Sequence, residues 1–403
     1  MDHHDPSTSL ARASALRPLG AFEHVIDLYI GRNPVQFSIA IELTVPISDV
    51  GLARALAALQ QAHPLLAACI DRGGEETVFR RTSRPIPVRI ADTHDWLVAA
   101  SAEQAAPIDQ DLGPLARAVM TDTTGGMVVI LTFSHQIADG RGALRAAADL
   151  LEILDGRVVP GRAVPDSQER LLRAVHEPEA DAAPATTAPT PSQRPRPVTR
   201  AFDGIPPAIE VAALDRSATE RIRATARSHD ATVQGALCAA AAQALDARGV
   251  VGPIRINAPI DLRSAVGLAD DVANRFTATT VVLHDPSRRD LWSLAADATA
   301  QLRSARARAR KTALMLASLQ PADALEAEAA MLAATDADIE ITNLGVFPPR
   351  SDAAEGVWGP VMLTQVAGER VLGALTHGGA LRLTLTSHDD IHGLVDEITA
   401  RLS

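Results

Sequence analysis

Lysine is nearly missing from this chain: Lys311 is the single one in 403 residues, and arginine supplies the rest of the positive charge. Acidic residues outnumber basic ones by 49 to 38, for a formal charge of -11. A nucleic-acid binder needs a basic face to displace counterions from phosphate, so that class is set aside. The same charge disfavours docking on an acidic carrier protein unless arginines cluster locally. Cysteine is also scarce. Cys69 and Cys238 are far apart and in apolar surroundings, which suits buried thiols in a reducing compartment rather than a disulfide framework or a zinc site. No apolar run approaches the length of a membrane span, since even the alanine-rich stretch 236–244 is too short. The first residues, Met1-Asp-His-His-Asp-Pro, have no basic segment leading into an apolar one, and a cytoplasmic protein is expected. What remains, 47% hydrophobic and 22% charged residues, is an ordinary globular composition at a length that admits two domains.

Structure and chemistry are both legible in the stretch 126–154. Val128 to Phe133 is a β-branched and aromatic run of strand length, and Leu144, Leu150, Leu151 and Leu154 fall on a helical spacing. Between them lies the short loop His135-Gln-Ile-Ala-Asp139-Gly140. An imidazole at the end of a buried strand, followed by a glycine turn into a helix, suits a reactive side chain held at fixed geometry. Gly140 is expected to permit a sharp turn and a close approach of substrate.

Elsewhere the chain alternates helix and strand signals. Gln36 to Val45 sets Phe37, Ile39, Ile41, Leu43 and Val45 against Ser38, Ala40, Glu42 and Thr44, the pattern of a strand with one buried face. Asp49 to Ala62 then reads as a helix that ends at His63-Pro64-Leu65-Leu66. His63 is expected to face water or the helix-terminal carbonyls. Gly113-Pro114-Leu115 opens a strand, and the turn 123–126 returns Val128 to Phe133 as its hairpin partner. From Asp155 to about Arg200 the chain becomes rich in proline, alanine and threonine, as expected of an extended spacer, with a short amphipathic turn around Leu171 and Leu172. Beyond it, Ser217-Ala-Thr-Glu220 reads as a capping box and Thr232 as the cap of a second helix. Strands are expected at Ile254 to Ile260, Phe276 to Leu283, Ile339 to Thr342, and in a final pair, Val371 to Thr376 and Leu381 to Ser387, turned at Gly378-Gly379. The organisation expected is an N-terminal domain at 1–155, a linker at 156–200 and a C-terminal domain at 201–403.

His135 to Gly140 matches H-x-x-x-D-G, the signature of the CoA-dependent acyltransferase superfamily that includes the condensation domains of peptide synthetases. Its place, about a third of the way along, resembles the polyketide-associated branch typified by phthiocerol dimycocerosyl transferase. Wax ester synthases usually carry two histidines where this chain has Ser134-His135. The strand, helix and His-Pro-Leu-Leu of the opening, the Gly-Pro-Leu at 113–115 and the stretch Ala258-Pro-Ile-Asp-Leu-Arg263 also resemble that family. The resemblance implies an α/β fold of two chloramphenicol-acetyltransferase-like sandwiches arranged in a V, with a tunnel between them and His135 at the junction. It also implies that Asp139 pairs with Arg263 and that Ile341-Thr-Asn-Leu-Gly345 crosses between the domains and lines the channel.

Acyl transfer from a thioester requires the attacking hydroxyl or amine to lose a proton, and a neutral imidazole suits that task. His135 is the candidate general base. Asp139 either orients the imidazole, as in a triad, or braces the loop through the arginine. Thr342 and Asn343 could donate to a developing oxyanion, although an asparagine there also forms turns, and Asn274 carries the same ambiguity. His377 and His388 are read as surface or structural. With no G-x-S-x-G elbow and neither cysteine beside a histidine, a covalent intermediate is not expected. His135 and Asp139 lack a further ligand pair, so neither a metal nor a cofactor is expected. The partners expected are an acyl thioester of CoA or of an acyl or peptidyl carrier protein and a small-molecule acceptor, taken up by a monomer. Two other readings stay open: the same scaffold cyclising or otherwise converting a tethered intermediate, and a non-catalytic synthase partner.

Overall fold

The computed structural model describes residues 15–175, 196–268, 270–318, 320–348 and 351–402. The first part of the chain runs β1 (Ala15–Pro18), α1 (Ala21–Ile30), β2 (Gln36–Leu43), α2 (Asp49–Ala62), β3 (Ala68–Asp71), β4 (Val78–Arg81), β5 (Val88–Ile90), α3 (Trp96–Gln104), β6 (Ala116–Thr123), β7 (Gly126–Ser134), α4 (Gly140–Leu154) and α5 (Gln168–Ala174). The second part runs β8 (Ala208–Leu214), α6 (Arg216–Ser228), α7 (Val233–Ala247), β9 (Ile254–Asp261), β10 (Phe276–Leu283), α8 (Leu291–Leu316), α9 (Ala324–Ala334), β11 (Ile339–Val346), β12 (Ala354–Leu363), β13 (Arg370–His377), β14 (Ala380–Ser387) and α10 (Leu394–Leu402). The fold is α/β with two lobes, each built on one large sheet.

The first sheet has the order β12-β2-β7-β6-β5. Alternation in β2 places Phe37, Ile39, Ile41 and Leu43 in the main core with Leu52, Leu56 and Leu59 of α2 and with Leu150 and Leu151 of α4. Ala40, on the opposite face, packs with Ala99 and Ala100 of α3 and with Trp358 of β12. The second sheet has the order β10-β9-β11-β13-β14-β8. Its core face carries Ile254, Ile256, Ile339, Ile341, Leu383 and Leu385 against the alanine-rich α7. Small residues let α7 and α8 approach closely: a side chain at Gly235 would meet Ala295 O at 2.4 Å and Thr299 Oγ1 at 2.2 Å.

Three expectations need correction. The stretch 201–403 is not confined to one lobe, because β12 leaves the second sheet to pair with β2, from Ala354↔Leu43 to Leu363↔Gln36. At the seam, Thr384 Oγ1 of β14 donates to Pro360 O of β12 at 3.0 Å. The segment 156–200 is more than a spacer. Leu172 of α5 is buried against Ile260, Leu262 and the alanines of α8. Glu169 accepts from Phe22 N at 2.9 Å and Gln168 from Phe276 N at 3.1 Å, so α5 clips α1 to β10. The proline-rich run 184–197 lies mostly outside the described residues. Finally, α6 is capped by Asp215, whose carboxylate accepts from Ala218 N at 2.7 Å, while Ser217 sits within the first turn. Thr232 caps α7 as expected, accepting from Gly235 N. No helix among the described residues is long and apolar enough to cross a membrane.

Candidate active site

β7 lies between β2 and β6, so its C-terminal end is held from both sides, and His135 follows it directly. His135 N donates to Val35 O at 3.2 Å and Ile137 N to Ser134 O, which turns the chain toward α4. The imidazole sits between Phe37 and Phe276, with ring centroids 5.1 Å and 5.5 Å away, one aromatic from each lobe. It is 8% exposed, and Nδ1 is buried without a hydrogen-bond partner. Burial pushes its pKa below the ordinary imidazole value, against weaker opposing pulls from a backbone hydrogen bond and then from Asp139, so the ring is neutral at pH 7.

Asp139 makes its hydrogen bonds to groups other than the imidazole. It caps α4 by accepting from Gly142 N at 2.7 Å. Both oxygens are taken by Arg263, with Nη1 to Oδ2 and Nη2 to Oδ1 each at 2.9 Å, and Arg275 N donates to Oδ2 at 2.8 Å. Burial alone would raise this carboxyl. The Arg263 charge and these hydrogen bonds overcome it and hold the group ionised below its usual range. Arg263 in turn donates to Asp261 at 2.8 Å and to the carbonyls of Asp271 and Ala273, each at 3.0 Å. A bidentate guanidinium on a buried carboxylate fixes orientation as well as charge. The geometry is that of a brace between lobes, with the carboxylate fully engaged elsewhere than the imidazole.

Asn274 is a second brace. Its Nδ2 donates to His135 O at 2.8 Å and to Gln136 O at 3.0 Å, which leaves that amide group no free hydrogen for an oxyanion. Gly140 lies in the first turn of α4 rather than in a left-handed turn, and a Cβ there would stand 2.4 Å from Leu344 Cδ2. Its smallness admits Leu344 of β11, and it also lines the cavity described below. Thr342 and Asn343 lie on β11 itself, and Asn343 Oδ1 accepts from Gly345 N at 2.9 Å where the pairing with β13 shifts register. The lobe crossing expected at 341–345 is made by β12 instead. His63 is buried, with Nε2 2.8 Å from Asp149 Oδ2, correcting the expectation that it faces water or helix-end carbonyls. Burial raises the Cys238 thiol to about 12, which suits an inert side chain. Among the described residues no group of three or more His, Cys, Asp or Glu side chains is placed to hold a metal.

His135 lines a cavity of about 220 Å³ between the lobes. From the first lobe come Val25, Ile26, Val35 and Phe37. From the second come Pro259, Phe276, Thr342, Asn343 and Leu344, with Met362 of the exchanged strand β12. The walls are mainly apolar, and polar groups are few and localised.

Residues 206–355 match the family model described as phthiocerol/phthiodiolone dimycocerosyl transferase C-terminus. Polyketide synthase associated protein 5 from Mycobacterium tuberculosis is similar in structure with a TM-score of 0.68 at 20% identity, covering 98% of both chains. The epimerization domain from the third module of tyrocidine synthetase B follows at 0.65 and 16% identity, covering 97% of this chain and 95% of that one. Trichothecene 15-O-acetyltransferase from Fusarium sporotrichioides gives 0.65 at 13% identity, covering 99% and 97%. Comparison with curated protein sequences returns no match. The likeness to these solved structures is one of fold, two-lobed and shared by acyltransferases and condensation domains. The family-model match covers 150 of the 403 residues, all in the second part of the chain.

Proposed function

We propose that this protein moves an acyl group from a CoA or carrier-protein thioester to a hydroxyl or amine acceptor in the assembly of a polyketide, lipid or peptide product, with His135 as general base. The observation that carries this reading is a neutral imidazole set at the junction of two lobes and lining a mainly apolar cavity to which both contribute. With Nδ1 sealed off, Nε2 is the nitrogen assigned to the acceptor proton. The acceptor oxygen or nitrogen attacks the thioester carbonyl as its proton passes to Nε2. The tetrahedral oxyanion takes hydrogen bonds from the Thr342 hydroxyl and the Asn343 amide, and collapse expels the thiolate, which recovers the proton. Asp139, Gly140 and Arg263 position the loop. No cofactor beyond the thioester is invoked. His135→Ala tests the reading: the expected result is an unchanged far-UV spectrum with transfer reduced at least about 100-fold. A fully active variant removes the assignment.

The likeness to an epimerization domain supports a second reading, in which the same imidazole converts a carrier-bound intermediate without an acceptor. Mass spectrometry and chiral analysis of the group released from a carrier-bound thioester incubated with enzyme alone separate the two, since acyl transfer leaves its mass and configuration unchanged until an acceptor is added.

A further inference from the structure

The cavity-facing side of the second sheet rises in tiers away from His135. Phe276, whose ring is 5.5 Å from the imidazole, pairs with Asp261, and Ala278 pairs with Pro259 one tier further on. Two residues beyond that, Asn257 of β9 stands beside Glu340 of β11. Four residues of strand separate this last tier from the first, roughly 13 Å. Both side chains line the cavity. Asn257 Nδ2 donates to Glu340 Oε2 at 2.8 Å, which fixes the amide so that its oxygen is the free end. Asn257 is 5% exposed, and its Oδ1 is buried without a partner. Burial and the neighbouring Glu369 carboxylate push Glu340 up to about 7. Buried acceptors are almost always satisfied, because leaving one unmade forfeits its hydration. An unpartnered amide oxygen beside a carboxyl in a mainly apolar chamber calls for a donor on whatever fills it.

We infer that the chamber holds a straight aliphatic chain of about ten bonds whose far end carries a hydroxyl or amine received by Asn257 Oδ1 and the Glu340 carboxyl. The inference rests on the acyl-transfer reading in placing the reacting end at His135, and it makes Asn257 and Glu340 specificity-determining residues. The shared chemistry is a hydrogen-bond donor, and the two sources are separable by direct binding, which requires no catalysis.

Calorimetry of the full chain at pH 7 with 1-decanol, 1,10-decanediol and 10-amino-1-decanol provides the test. The expected result is that at least one difunctional probe binds about tenfold more tightly than 1-decanol, and the tighter of the two identifies the donor. That gain disappears in Glu340→Leu and in Asn257→Leu, and Glu340→Gln, which keeps polar atoms in place, retains most of it for the diol. Equal binding of all three probes to the unsubstituted protein, or a gain that survives in both leucine variants, overturns the inference. Transfer by the unsubstituted protein and its loss in His135→Ala are read separately, so failure here leaves the acyl-transfer reading standing and failure there leaves the binding result interpretable.

Discussion

Asp139→Asn isolates the charge of the brace while keeping its shape. Asparagine still caps α4, so the bond to Gly142 N survives and the helix start is not the variable. What changes is Arg263, whose side chain is only 3% exposed and loses the carboxylate that meets both of its terminal nitrogens at 2.9 Å. Removing one partner of a buried pair destabilises by about 3 to 5 kcal/mol. Arg263 Nη1 keeps Asp261 at 2.8 Å and Nε keeps Asp271 at 3.4 Å, so the lower end applies, about 3 kcal/mol. A urea titration followed by circular dichroism measures it. The double variant Asp139→Asn with Arg263→Gln removes both charges while keeping the cap on Gly142 N, and should recover part of the loss, because no buried guanidinium is then left without its carboxylate, while the His135 loop loses its orientation and transfer stays low. Acidity adds an independent check. A carboxyl depressed on folding contributes stability above its unfolded value near 3.9, and that contribution is lost as pH falls through the folded value below it. The unsubstituted protein should therefore shed more stability in that acid window than Asp139→Asn, in which Asp149 and the other depressed carboxyls still titrate. A loss under about 1 kcal/mol in the single variant, or a double variant no more stable than the single, refutes the reasoning.

Asn274→Ala frees the His135 and Gln136 carbonyls and should lower kcat about tenfold or more with KM little changed, read from steady-state transfer. For kcat/KM against pH, the acid limb should lie below the ordinary imidazole value near 6.5, because burial depresses His135, and a limb at or above 7 contradicts this. His63→Ala removes one donor from the buried Asp149, which Arg145 still holds at 2.5 Å, and should cost about 2 kcal/mol in a denaturant titration while leaving the activity of the folded enzyme unchanged. Leu172→Ala should destabilise by about 2 to 4 kcal/mol and loosen α5 from β9 and α8, seen as faster amide exchange in 168–174.

Whatever depends on neighbours in the chain was legible beforehand. The alternation of β2, the helix ending at His63, the hairpin 116–134 and the placing of His135 between a strand and a helix are local patterns, and the structure holds each of them. What escaped depends on partners far away. His63 is buried because Asp149, 86 residues on, meets it. Asn274 is committed to carbonyls 138 and 139 residues earlier. β12 exchanges lobes because β2 offers it an open edge, a fact of sheet order that periodicity does not encode. The capping box at Ser217 failed differently: a local rule met a stronger local competitor, since Asp215 stands two residues earlier and its carboxylate reaches the free amide first.

These long-range partners all act on one short loop. The residue assigned as base belongs to the first lobe, but its carbonyl is held by Asn274, the cap that ends its loop is gripped by Arg263 and Arg275 N, and Phe276 covers its ring, all four from the second lobe. Gly140 completes the arrangement by letting Leu344 of β11 close over the start of α4. The lobe interface therefore sets both the position of the imidazole and the walls of the cavity it faces. A change that lets the lobes separate removes the base and the binding site together and should lower kcat and substrate affinity in step, unlike Asn274→Ala, which frees only the loop carbonyls, and unlike variants at the far tier of Asn257 and Glu340, which alter affinity with His135 still in place.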